Sequence, residues 1–148
     1  MKSRVFNTVF ENMLRVFLLM DVINKPMNVD RITALDFICI YGKKCKVLDK
    51  NLHGDNEFGF AEFANKREKI TEAINLSVRN DYVVVSQSDD GILYSLNDRG
   101  KKIVEETQSP YSKAYMVGSK IISRRFANMT DAAVLKYISN MATESKEV

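Results

Sequence analysis

Two thiols, one imidazole and two pairs of adjacent carboxylates are the side chains here with the most chemistry in them. Their spacing limits what they can do. Cys39 and Cys45 stand six residues apart, and His53 is the single histidine. Zinc takes four ligands, or three and a water, usually in tightly paired spacing, and that pattern is absent. Cys39 lies inside the apolar run Phe37–Tyr41 and reads as a small buried hydrophobe. His53 sits in a polar loop with no nucleophile motif beside it and reads as solvated. Asp89-Asp90 resemble a carboxylate pair, but they fall at a hairpin tip, where turn chemistry explains them. Glu105-Glu106 fits an ordinary helix surface. Neither a glycine-rich phosphate loop nor a Walker-type lysine occurs. The expectation is a chain that is not an enzyme, with no metal, cofactor or small-molecule ligand.

Basic residues offer a different chemistry, contact with phosphate or with an acidic partner. Lys113, Lys120 and Arg124 are seven and four residues apart, so they share one helix face. Tyr111, Tyr115, Ile122 and Phe126 take the other side of that helix. Lys43, Lys44 and Lys46, with Lys50 nearby, make a mobile basic loop. These groups are candidates for DNA or for an acidic partner face, set against the plainer reading of solvated surface lysines. The overall charge does not decide between them. The chain has 22 basic and 19 acidic residues, and its two halves are nearly balanced. A dedicated nucleic-acid binder concentrates its charge more strongly.

The elements that position these residues follow from periodicity. At 148 residues with 45% hydrophobic content, the chain can bury one ordinary core. Phe6, Val9, Phe10, Met13, Leu14, Phe17 and Met20 recur at helical spacing and predict an amphipathic helix over residues 4–23. Glu11, Arg15 and Asp21 interrupt it, so it suits neither a membrane span nor a signal peptide, and a cytoplasmic protein with no membrane contact is expected. Its wide apolar stripe reads as core, or as a subunit contact through Phe6, Phe10 and Phe17. Asn28 caps a second helix that Gly42 closes. Residues 43–59 form the one long loop, and a third helix runs from about 61 to 78. Two strands, 82–87 and 92–96, meet at Ser88-Asp89-Asp90-Gly91, a good hairpin signal. Asn97 caps the next helix. Ser109-Pro110 opens another, which ends near Asn128, and Thr130-Asp131 starts the last, reaching Met141 before a frayed tail.

This order predicts a mainly α (α+β) fold. It is a winged-helix domain over residues 28–108 with a two-stranded wing, an N-terminal helix in 1–27 and a helical extension in 109–148. The third helix would then be the DNA reader. On a wheel with Phe63 at zero, Arg67 falls inside the apolar sector at about 40° and Lys66 at its edge at about 300°. The outward face keeps Glu68, Glu72, Asn65, Asn75, Lys69 and Leu76. Two carboxylates there oppose a phosphate field. Arg67 is expected to snorkel from the core or meet a buried carboxylate, and Leu76 to be a protein contact.

Several stretches taken in order carry a resemblance over residues 28–125. They are Leu35-Asp36 in the second helix, Glu62-Phe63-Ala64 with Arg67-Glu68, and Ser109-Pro110-Tyr111. Together they resemble the middle component of ABC three-component systems, a family that includes the small C subunit of Lamassu bacterial defence systems. The resemblance implies a non-catalytic adaptor beside an SMC-like, Rad50-like coiled-coil ATPase and an effector nuclease. Such an assembly senses foreign phage or plasmid DNA, and its small subunit can touch that DNA within the complex. The alternative is a stand-alone winged-helix transcriptional regulator. It would need a basic outward face on the third helix.

Overall fold

The computed structural model describes residues 8–54, 59–89 and 91–147. It is mainly helical, with six helices and one antiparallel hairpin among the described residues. The first helix, α1 (Val9–Ile23), starts where the Thr8 hydroxyl accepts the Glu11 N–H. It stops at Asn24, whose left-handed backbone (φ 53°) returns its N–H to the Met20 carbonyl. The helix predicted from residue 4 therefore begins at Val9. Phe6 lies outside the described residues.

Helix α1 is the axis of the molecule. It packs against α2 (Val29–Ile40), α3 (Gly59–Arg79), α4 (Asp98–Glu106) and α5 (Pro110–Phe126), and eight of its side chains are buried. That enclosure corrects the reading of Phe17 as a partner contact. Phe17 is 3% exposed and packs with its ring centroid 5.7 Å from that of Tyr82, tilted by 56°. A wide apolar stripe is what a helix needs when neighbours surround it. Only at the N-terminal end does a large side chain stay out, with Phe10 72% exposed.

The hairpin joins β1 (Val83–Ser88) and β2 (Gly91–Leu96) in the register Val83 with Leu96 through Ser88 with Gly91. Gly91 takes φ 108°, which the tight turn requires and other residues resist. Asp90 lies outside the described residues. Met27, between α1 and α2, makes an isolated antiparallel bridge to β2 by exchanging both backbone hydrogen bonds with Tyr94. Asn97 caps α4 through the Gly100 N–H, and Ser109 caps α5 with Pro110 in its first turn, both as predicted.

The last helix, α6 (Asp131–Glu147), runs past the predicted end at Met141, with Thr143 bonded back to Ser139 and Glu144 3.4 Å from Lys46. Arg31 fastens this end of the molecule. Its guanidinium donates to the carbonyls of Phe126 and Met129 and to Asp131 Oδ1, while Asn28 Nδ2 donates to Asp131 Oδ2. A cation on the closing carbonyls of α5 also suits the negative end of that helix.

Gly100 lies where α4 crosses the hairpin. A Cβ there would sit 2.5 Å from Leu96 Cδ1 and 2.7 Å from the Tyr82 carbonyl oxygen. Backbone cannot yield as a side-chain tip does. We expect Gly100→Ala to lower stability by about 1–3 kcal/mol in urea denaturation, although alanine is the better helix former.

Candidate interaction surface and the buried charges beneath it

Under the surface helices lies a cluster of charges that composition did not announce. The Asp36 carboxylate of α2 takes Arg15 Nε of α1 at 3.1 Å and the Tyr115 hydroxyl of α5 at 2.7 Å on one oxygen. Lys66 Nζ of α3 stands 3.1 Å from its other oxygen. Arg15 also donates to Asn12. Arg15 and Asp36 are essentially without solvent contact, and Lys66 is largely buried. Burial alone would push the Asp36 carboxyl up, but the charges of Arg15 and Lys66 and the Tyr115 hydrogen bond hold it well below the usual range.

This cluster corrects two readings of α3. Its buried residues are Gly59, Ile70, Ala73, Ile74 and Ser77, so the inward sector is turned by about 30° from the predicted one. Lys66, not Arg67, therefore enters the core and meets the buried carboxylate. Arg67 stays exposed and pairs with Asp30 at 2.6 Å, itself half exposed. The same rotation brings Leu76, expected on the outer polar face, partly into the core. Residues 62–72 still present Glu62, Glu68 and Glu72 to solvent beside Lys69.

The loop after α2 is more ordered than a mobile basic segment. Asn51 Oδ1 accepts the backbone N–H groups of Lys43 and Lys44, and Leu52 N–H bonds to the Ile40 carbonyl. Lys43 and Lys46 are exposed and Lys44 is half-buried. Lys46 turns to Glu144 of α6, so these lysines do not all act as one phosphate-facing group. His53, expected to be solvated, is half-buried, hydrogen-bonded to the Tyr111 hydroxyl and stacked on its ring at 5.6 Å. Burial, with the positive charges of Arg15 and Lys66 outweighing Asp36, lowers its pKa to about 4. The ring is neutral at physiological pH.

These inner contacts orient α5 and decide its outer face. Tyr115, Ser119, Ile122 and Phe126 point inward, and Cys39 Sγ lies 3.5 Å from the Tyr115 carbonyl. Lys113, Lys120 and Arg124 are all exposed, as predicted, and make no ion pair among the described residues. Between their stripe and the loop, Val117 is 60% exposed and Ile121 42%. Periodicity alone does not single these two out, although a helix wheel sets them beside the basic stripe. With Ala114, Gly118, Leu48 and Leu52 they line a shallow groove of about 180 Å³, with Lys50 and Asp49 at its rim. Groups of three or more metal-ligating side chains are absent among the described residues, and no described helix is long and apolar enough to cross a membrane.

The profile of the ABC-three component (ABC-3C) system Middle Component 2 family matches residues 5–147. The chain belongs to that family. As a middle component it is one part of a multi-part system, so an outward face with apolar and basic character has a context in which to be covered. No curated protein and no solved structure matches it.

Removing the central carboxylate tests the cluster. Asp36→Asn leaves two buried cations without a counter-charge and should cost about 3–5 kcal/mol at pH 7 in urea denaturation. Because the folded-state pKa lies below the unfolded value of about 3.9, this contribution is present above that pH and lost as the pH falls below it. The gap between the wild-type protein and Asp36→Asn should therefore narrow on acidification below about pH 4.

Burial pushes both thiols, Cys39 and Cys45, up to about 12. Iodoacetamide at pH 8 should leave both unmodified in the native protein and label both in urea, as read by mass spectrometry. Rapid native labelling of either would contradict their placement.

Proposed function

We propose that the chain is a non-catalytic adaptor of a cytoplasmic bacterial defence assembly of the Lamassu kind. It bridges an SMC-like, Rad50-like ATPase and an effector nuclease that act against phage or plasmid DNA. The observation that carries this reading is the match of nearly the whole chain to a middle-component family. The chemistry of the molecule supports it. The side chains most able to do catalysis are engaged in packing: Asp36 with Arg15, Lys66 and Tyr115, His53 with Tyr111, and Cys39 beneath α5.

We read residues 28–108 as a winged-helix core, flanked by the helix of residues 1–27 and the helices of 109–148. Supporting this are the order α2, α3, β1, β2, α4 and the pairing of Met27 with the second wing strand. In this reading α3 is a scaffold. Lys66 is drawn inside, Arg67 is paired, and three carboxylates remain on the outside. Contact within the complex, with an acidic partner face or with DNA, falls to the basic face of α5 and to Lys43, Lys44 and Lys46.

Co-expression with the neighbouring genes gives a direct test. The chain should co-purify with a coiled-coil ATPase, and alone it should bind DNA weakly and with strong salt dependence. Tight binding of the isolated chain to one DNA sequence, with no partner retained, would sink the adaptor reading in favour of a transcriptional regulator.

A further inference from the structure

We propose that the groove between α5 and residues 48–52 receives an amphipathic helix with acidic flanks from another component of the assembly. The inference rests on the multi-component reading above and names the chemistry of one contact within it.

Ala114, Val117, Gly118 and Ile121 recur at i, i+3, i+4 and i+7, the pattern of a helix face that docks on another helix. Such a stripe is ordinarily buried, yet Val117 is 60% exposed and Ile121 42%. Gly118 keeps the floor of the groove low. A Cβ there would lie 3.2 Å from both Cys39 Sγ and Leu48 Cδ1. The stripe from Ala114 to Ile121 rises by about 10 Å, which fits two turns of an incoming helix.

Charge selects the occupant. Lys113, Lys120 and Arg124 run along one side of the stripe and Lys50 stands on the other, against the single carboxylate of Asp49. A helix with leucine-like residues facing inward and aspartate or glutamate at its flanks satisfies both parts of this surface. A second copy of the chain would bring the same basic rim against itself. A phosphate backbone would answer the lysines but leave Val117 and Ile121 facing a polar ligand.

The test uses the full chain with its partner components. A photo-crosslinking residue in place of Val117 should join the chain to an acidic, helical segment of another component, mapped by mass spectrometry. Val117→Ser with Ile121→Ser should weaken assembly about tenfold or more while thermal unfolding stays near that of the wild-type protein. Reversing Lys113, Lys120 and Arg124 to glutamate should weaken it too, and added salt should shrink that effect. Crosslinking to a second copy or to DNA would overturn the proposal, as would assembly unchanged by the serine pair. In those cases the adaptor reading stands so long as the wild-type complex forms. If the wild-type chain assembles with no partner, both readings fall.

Discussion

One carboxylate holds the helices of this protein in register. Asp36 leaves α2 for an interior closed to water and there meets an arginine from α1, a lysine from α3 and a tyrosine from α5. Taking three charges out of water is costly, and good geometry must offset that cost. The arrangement does what apolar packing cannot. Hydrophobic faces tolerate a helix turned by some tens of degrees, whereas hydrogen bonds and ion pairs near 3 Å do not. Our hypothesis is that the cluster selects one rotation for each of the four helices. Variants that keep volume but remove charge would test this by whether their cores become plastic.

The outer surface follows from that interior. With Tyr115 held by Asp36 and Tyr111 by His53, the opposite side of α5 must present Lys113, Lys120, Val117, Ile121 and Arg124. With Asn51 capping the loop backbone and Leu52 bonded to the end of α2, the loop becomes a wall and not a mobile arm. The groove is thus a product of polar contacts several residues away. Its exposure belongs to a chain built to work with other components.

Much of the fold was legible from local chemistry. Asn28, Asn97 and Ser109 cap the helices they precede, because a short polar side chain beside an apolar repeat satisfies the first free N–H groups whatever the tertiary setting. The hairpin was legible for the same reason, since Asp-Gly between apolar runs suits its turn. The middle-component resemblance rested on ordered pieces that include Leu35-Asp36 and Ser109-Pro110-Tyr111. The structure shows Asp36 at the centre of the charge cluster and Tyr111 holding the loop through His53. Arg15 was different. On a helix wheel it marks a polar interruption, and nothing in its spacing says that a carboxylate waits inside.

The sequence by itself determined the order of the helices and strands and the caps that open α2, α4 and α5, which family the chain resembles, and that the basic stripe of α5 lies on one face. Those properties depend on neighbours within a few residues. Tertiary structure alone decided which apolar faces are covered. Periodicity gives a helix an apolar side but does not say how many neighbours will enclose it, so Phe17 belongs to the core while Val117 and Ile121 remain outside. It also decided between Lys66 and Arg67. Adjacent positions differ by about 100° on a helix, and only the packing of α3 against α1 and α2 sets which of them reaches Asp36.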